Sequence, residues 1–218
     1  MAFGNGETYN LNHPSQRIAF KDLAYEMYMR GIPPAEYGFI KARRGVPDPQ
    51  TGQGDPYAAY TFGCTIAEVE VDLETGQVEV LKLIPGVAAG KIIQPAVAKG
   101  QVYGCGMLGL GYALTERVLR QDGKMLNPTY IDYLIPTIKD KPEMADLICV
   151  EDEYKYSGFG AKGVGEIAFI ATPLAIANAL HQATGLRFLE MPLDMEKIYF
   201  ALREKKSHGS RSQTVAEI

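Results

Sequence analysis

Hydrophobic and polar positions alternate at the end of an aromatic and β-branched stretch, 57–71, and again along 78–84. Alternation with a period of two is typical of strands that bury one face. The segment between them, 72–77, reads Asp-Leu-Glu-Thr-Gly-Gln and contains the glycine that tight turns favour. The pattern therefore predicts a β-hairpin whose strands begin a sheet.

Apolar residues at helical spacing predict most of the remaining elements. Thr172 and Pro173 have the sequence of an N-cap followed by a first-turn proline, Gly185 closes the same helix, and Asp194 can cap another. The predicted helices lie at 18–29, at 95 to about 120, at 174–183 and from 195 to about 202, and extended segments are predicted at 127–136, 147–151 and 187–191. The fold class that follows is α+β, a mixed sheet containing a β-hairpin and packed with helices.

The predicted helix that starts at Pro95 is rich in glycine. Each glycine in an exposed helix interior costs about 1 kcal/mol relative to alanine, so some contact must compensate. We therefore expect another backbone or a flat ligand to come very close to this helix. The glycines concerned are Gly100, Gly104, Gly106, Gly109 and Gly111.

Composition and charge exclude several classes of partner. Of 218 residues, 46% are hydrophobic and 22% are charged, and the formal net charge of −4 gives no reason to expect nucleic acid or an anionic membrane. No stretch approaches the ~18 uninterrupted apolar residues of a membrane span. The three cysteines are widely spaced and form no Cys-x-x-Cys pair, so we expect a reducing cytoplasm and no metal ligands from this chain.

The chain is predicted to have three segments. A polar, glycine-containing extension occupies 1–16, and a single domain occupies 17–204. The last segment, 205–218, is rich in Ser, Lys and Arg, and we expect it to be disordered or to extend onto another subunit.

The strongest local candidate for chemistry is the glycine-rich run 158–166, which ends in Glu166 just before a mostly apolar stretch. A carboxylate that enters apolar surroundings loses hydration and becomes a better proton acceptor. Glycines also free the backbone to bring N–H groups to a ligand. From composition alone, the favoured interpretation is instead a tight turn with a solvated or capping carboxylate. The run is not a phosphate loop, because Gly163 rather than Ser or Thr follows Lys162.

Several landmarks along the chain together resemble one known family. They are Gln-Val-Tyr-Gly at 101–104, Gly-Leu-Gly-Tyr-Ala-Leu-Thr-Glu at 109–116, Asp-Tyr-Leu-Ile-Pro-Thr at 132–137, Lys-Gly-Val-Gly-Glu at 162–166, Ala-Ile-Ala-Asn-Ala at 175–179, Ala-Thr-Gly at 183–185 and Met-Pro at 191–192. In order and spacing they resemble the molybdopterin-binding subunit of the xanthine dehydrogenase and aldehyde oxidase family, the molybdenum hydroxylases. The resemblance extends from about residue 18 to residue 202.

The resemblance implies roles for particular residues. In that family the glutamate of the Gly-Val-Gly-Glu motif takes the proton from a metal-bound hydroxyl, which attacks an electron-poor carbon. Glu166 matches that glutamate and is the implied catalytic base, and Gln101 matches a glutamine that hydrogen-bonds the pterin. The backbone that would line the same cofactor belongs to Lys162, Gly163, Val164 and Gly165.

The resemblance also implies cofactors and partners. We expect molybdenum-molybdopterin in its cytosine dinucleotide form, with iron–sulfur clusters and FAD only on partner chains. The expected substrate is an aldehyde or an N-heteroaromatic compound. A full molybdenum subunit of the family is several times longer, so the expected partners are a larger molybdopterin-binding chain or domain, an iron–sulfur subunit and an FAD subunit.

Two departures from the family pattern leave an alternative open. Members often carry His-Asp-Val-Gly-Arg where this chain has Val-Ala-Ala-Gly-Lys at 87–91, and they often carry Gln where it has Leu108. A non-catalytic assembly subunit that kept the fold would permit both changes. Glu166 and Gln101 match the family pattern, and they favour the hypothesis of a catalytic subunit.

Overall fold

The computed structural model describes residues 2–40, 45–152 and 154–213. The chain divides into two compact units, 1–41 and 42–218. In the first unit three antiparallel strands in the order β1-β2-β3 precede a helix. Its elements are β1 Ala2–Gly4, β2 Glu7–Asn10, β3 His13–Ala19 and α1 Phe20–Met29.

The hairpin predicted in the second unit is confirmed. Strands β4 (Phe62–Val71) and β5 (Val78–Ala88) pair antiparallel, and the turn is closed by a 2.9 Å hydrogen bond from Asp72 N to Gln77 O. Gly76 has a φ of +77° in this turn, which explains the need for glycine. Two short strands pair parallel to the other edge of β5, namely β8 (Glu143–Met144) and β9 (Ile148–Val150). The sheet is therefore mixed, as predicted.

The described residues of the second unit also form the α-helices α2 (Pro95–Leu114), α3 (Ile167–Thr184) and α4 (Met195–Gln213). Helices α2 and α3 pack against each other, and α3 also packs on the hairpin. The core lies between these layers, where Leu83 of β5, Leu110 of α2 and Ile176 of α3 are almost fully buried. A second cluster joins α3 to α4 through Leu180 and Ile198.

The predicted start of α3 is wrong. Helix α3 begins at Ile167, so Pro173 lies inside the helix and Thr172 is a helical residue rather than its N-cap. Thr172 is only 1% exposed and donates its hydroxyl to Ala168 O at 2.8 Å. The burial of this turn outweighs the hydrogen bond that the proline removes. Gly185 does end the helix, with a φ of +69°.

Helix α2 starts at Pro95 as expected but ends at Leu114, before the predicted end near Arg120. The residues that follow bond to another segment, since Thr115 Oγ1 donates to Leu134 O at 2.8 Å. A two-stranded ribbon comes next, formed by β6 (Arg120–Gln121) and β7 (Lys124–Met125).

Other sequence predictions also differ from the structure. Ile18 pairs with Thr8 in the sheet of the first unit, so α1 begins two residues later than predicted. The segment 127–136 forms a turn at 129–133 rather than a strand, and 187–191 has no strand. The predicted boundary at 16/17 falls inside β3.

The predicted tail from residue 205 is helical as far as Gln213, where α4 ends. Lys205 Nζ donates to Thr184 O at 2.6 Å, and Lys206 pairs with Glu74 at 2.6 Å, so both lysines are bonded to the domain. Residues 214–218, the rest of the predicted tail, lie outside the described residues. In the described ranges, no helix combines the length and apolar character that crossing a membrane requires.

Candidate active site

Glu166 occupies the position just before α3, where it is the N-cap residue without a capping hydrogen bond from its side chain. The carboxylate is exposed, and within the described residues it has no hydrogen-bond or ion-pair partner. The apolar surroundings expected for the Glu166 carboxylate are therefore not provided by this chain alone. The carboxylate is free to meet a group from outside.

Helix α2 approaches this position through Cys105. Its thiol donates to the carbonyl of Gly165, the residue before Glu166. Burial raises the pKa of Cys105, and the negative charge of Glu166 raises it further. Gln101 lies one helical turn before Cys105 in α2 and is exposed, whereas Cys105 is buried. The contact of Cys105 with Gly165 thus joins α2 to the residue before Glu166, and Gln101 lies one helical turn earlier in α2.

Lys162, another predicted site residue, directs its side chain into the protein. That side chain is 6% exposed, and its ammonium group pairs with Asp152 and donates to Tyr60 O at 3.0 Å. Its backbone N–H donates to Ala89 O at 2.9 Å. Only the carbonyl of Lys162 is left for contact with a ligand.

The backbone of the next three residues, Gly163, Val164 and Gly165, is more open. Within the described residues their N–H groups donate no hydrogen bond. The carbonyl of Gly163 accepts from Thr61 Oγ1 at 3.0 Å, as that of Gly165 accepts from Cys105. These three residues thus present unpaired donors, as a backbone that lines a polar ligand must.

The glycines of α2 fall into two groups. A Cβ at Gly109 would lie 2.7 Å from Thr172 Cβ, and one at Gly111 would meet Pro136, so these glycines permit packing within the chain itself. A Cβ at Gly104 would meet nothing within 4 Å. The same holds at Gly163 and Gly165, which have no positive φ either. Glycine at these three positions leaves space for something outside this chain.

An exposed face surrounds the predicted site. It consists of a stripe on α2 and a stripe on α3, both at helical spacing. The rings of Tyr112 on α2 and Phe169 on α3 are in contact, with their centroids 5.7 Å apart. The large apolar residues of this exposed face are 51–63% exposed: Val97, Leu108, Tyr112, Ile170 and Leu174. We call these residues, together with Gln101 and Glu166, the α2–α3 face.

The segment 87–91, which departs from the family pattern, supports the glycine-rich run. Lys91 N donates to Gly160 O at 3.0 Å, and Gly90 pairs with Ala161 in a β-bridge. Val87 and Ala89 are 3% and 1% exposed in the core. Val87 and Ala89 are apolar residues at buried positions, so their side chains are compatible with the core around them.

Sequence reasoning missed Cys105, Asp152 and Thr61, which all bond to the run 162–165. One signal was available for Cys105, since it follows Gln101 by one helical turn. Thr61 and Asp152 carry no comparable local signal, because they meet the run only in the folded chain.

Comparison with known proteins places this chain in a family. A sequence profile described as "Molybdopterin cofactor-binding domain" matches residues 1–142. The chain belongs to the molybdopterin-binding subunits of the molybdenum hydroxylase family. The resemblance drawn from the sequence landmarks is thereby confirmed. The profile stops before Glu166, so its match does not extend to the proposed base.

Two relatives show how much of a molybdenum hydroxylase this chain represents. It is 39% identical over 159 residues to a probable xanthine dehydrogenase subunit of Bacillus subtilis, covering 73% of this chain and 21% of the relative. In the solved aldehyde oxidoreductase of Desulfovibrio gigas, the match has a TM-score of 0.66 and 33% identity, covering 73% of this chain and 17% of that chain. The chain therefore spans about a fifth of the length of these relatives.

A second solved structure bears on the fold alone. The quinoline 2-oxidoreductase of Pseudomonas putida 86 matches with a TM-score of 0.70 at 24% identity, covering 93% of this chain and 26% of that one. The α+β architecture is thus shared with this solved oxidoreductase over nearly the whole chain.

Proposed function

We propose that this chain forms part of the active site of a molybdenum hydroxylase that acts on an aldehyde or an N-heteroaromatic compound, with Glu166 as the catalytic base. One observation carries the proposal. Glu166 follows Gly165, whose carbonyl accepts from the Cys105 thiol, and Gln101 lies one helical turn before Cys105 in α2. Both side chains are exposed, and neither has a hydrogen-bond partner within the described residues.

The residues present fit a flat pterin cofactor. Gly104, Gly163 and Gly165 leave space that a Cβ would fill, and the N–H groups of 163–165 are unpaired donors. Gln101 would offer its amide to the pterin, and the backbone of 162–165 would lie along it. Molybdenum-molybdopterin, here proposed in the cytosine dinucleotide form, supplies the two-electron oxidation when bound.

Glu166 contributes proton transfer. In the balanced reaction, a substrate C–H and water give a C–OH product, two protons and two electrons. In our proposal the Glu166 carboxylate accepts the proton of the attacking oxygen, which makes that oxygen a stronger nucleophile. The electrons pass to iron–sulfur clusters and FAD on partner chains.

We propose that most of the enzyme is formed by residues outside the 218 of this chain. The exposed apolar residues of the α2–α3 face are the surface that we propose a larger molybdopterin-binding chain or domain covers. Such a cover would also remove water from Glu166 and strengthen it as a base. We propose a cytoplasmic complex, which suits three free cysteines.

Native purification tests the proposal. We expect the complex that contains this chain to contain molybdenum and iron in fixed proportion, with the bands on a denaturing gel assigned by mass spectrometry. If the chain never copurifies with molybdenum, the assignment fails.

A second candidate is a non-catalytic assembly subunit of such a complex. Leu108 favours it, since this apolar side chain is 55% exposed on the α2–α3 face where the family often carries glutamine. The two candidates differ in their need for Glu166. An assembly subunit would tolerate its substitution without loss of turnover.

A further inference from the structure

Two side chains donate hydrogen bonds to carbonyls of the glycine-rich run. The buried thiol of Cys105 donates to Gly165 O, and the hydroxyl of Thr61 donates to Gly163 O at 3.0 Å. Both donors are far from the run in sequence, 60 and 102 residues away. They are therefore contacts of the folded chain rather than of a local turn.

These bonds decide which way the next peptide N–H points. In a trans peptide plane, the C=O and the N–H of the following residue point in opposite directions. With Gly165 O turned toward Cys105, the N–H of Glu166 points away from it. Cys105 is 7% exposed within the core, so this direction is outward.

The residues on either side of this peptide, Val164 and Ile167, pack against the cluster that contains Cys105, but Gly165 itself has no packing partner for a side chain. A Cβ at Gly165 would meet nothing within 4 Å, and the same holds for Gly163. Glycine has more backbone freedom than any other residue, so an unpacked glycine beside Glu166 would let the carboxylate change position. The hydrogen bond from the Cys105 thiol restricts the backbone freedom of Gly165, the residue that precedes Glu166.

We propose that Cys105 is a positioning residue for Glu166, acting through the carbonyl of Gly165. The inference rests on the proposed function of Glu166 as a base. Cys105 itself does not touch the reacting atoms. Burial and the nearby charge of Glu166 raise the pKa of the thiol, which keeps it protonated and able to donate.

The test uses the assembled complex with Cys105→Ala, which lacks the donor, and Cys105→Ser, which keeps one. Cys149→Ala is the matched control, because Cys149 is exposed. We expect Cys105→Ala to lower kcat about 10- to 100-fold per bound molybdenum with KM little changed, as misplacement of a catalytic group does. Cys105→Ser should restore kcat to within about threefold of the native value, and Cys149→Ala should leave it unchanged.

A second measurement is independent of turnover. Hydrogen–deuterium exchange of the peptide that covers 163–168 should be faster in Cys105→Ala than in the native complex, and unchanged in Cys149→Ala. If Cys105→Ala does not assemble, Cys105→Val replaces it, because valine also lacks a donor but fills the space.

Three results would overturn the inference. They are native kcat and exchange in Cys105→Ala, a loss explained by lower molybdenum content at unchanged kcat per molybdenum, or no recovery in Cys105→Ser. Failure of the proposed function looks different. In that case Glu166→Gln would keep its turnover, while the exchange experiment would still report whether Cys105 holds the run.

Discussion

The ammonium group of Lys162 is paired with the carboxylate of Asp152, although Lys162 belongs to the run of residues that ends at Glu166. The second carboxylate oxygen of Asp152 accepts the N–H of Gly90 at 2.9 Å. Tyr60 O accepts from the same ammonium group. One ion pair thus joins the glycine-rich run to three other parts of the second unit.

This pair predicts a pH-dependent contribution to stability. The hydrogen bond from Lys162, followed by that from Gly90, lowers the pKa of Asp152 below its ordinary value of 3.8. A lowered folded-state pKa gives stability that is fully present above the ordinary value and is lost as the pH falls through the folded one. We expect Asp152→Asn to lower the melting temperature at neutral pH, and the difference from the native protein to shrink as the pH falls below 3.8.

Asp146→Asn is the matched control for Asp152. Asp146 also pairs with a lysine, Lys99, but its side chain is 94% exposed. Exposed pairs contribute little, so this variant should lose less stability at neutral pH. Equal losses in the two variants, or a difference for Asp152→Asn that persists at low pH, would contradict the prediction.

Gly109 and Gly104 predict opposite effects of alanine. A Cβ at Gly109 would clash with Thr172 on α3, so Gly109→Ala should lower the free energy of unfolding by about 1–3 kcal/mol. A Cβ at Gly104 would meet nothing within 4 Å, so Gly104→Ala should raise the free energy of unfolding by up to about 1 kcal/mol through helix propensity. Chemical denaturation measures both.

The proposed function adds an expectation for one of these variants. Gly104→Ala should lower the molybdenum content of the assembled complex, because its methyl group occupies space that we assign to the cofactor. Full molybdenum content in Gly104→Ala would count against that assignment.

A charge placed on the α2–α3 face should impair assembly of the complex without impairing folding of this chain. Ile170→Asp places a charge on the face at a side chain that is 63% exposed, so we expect it to change the free energy of unfolding by less than about 1 kcal/mol. It should nevertheless reduce copurification with the larger molybdopterin-binding chain at least tenfold, because the charge would be buried there.

Ile138→Asp provides the comparison, since Ile138 is 83% exposed and lies away from this face on a short 3₁₀ turn. It should copurify normally. If both variants assemble as well as the native chain, the α2–α3 face is not the covered surface.

Elements with strong local signals could be predicted from the sequence. The hairpin turn at Gly76 and the helix end at Gly185 both depend on a positive φ that glycine permits, and both were found. The start of α3 was not found, because Thr172 and Pro173 imitate a helix start while burial places them inside the helix. A local rule cannot weigh a contact with a distant part of the chain.

The candidate site divides in the same way. Glu166 and Gln101 were predicted from their place in family landmarks, and both side chains are exposed in the structure. The inward direction of Lys162 could not be predicted, since Asp152 and Tyr60 reach it only through the fold. The sequence therefore located the residues that face outward better than those that support them.

Turnover of the assembled complex with Glu166→Gln tests the central claim most directly. Glutamine keeps the size of the side chain but cannot accept the proton, so we expect kcat to fall at least 100-fold while molybdenum content stays native. Glu190→Gln, at an exposed position that is not among the predicted site residues, should keep native turnover. Native turnover in Glu166→Gln at full molybdenum content would contradict the account.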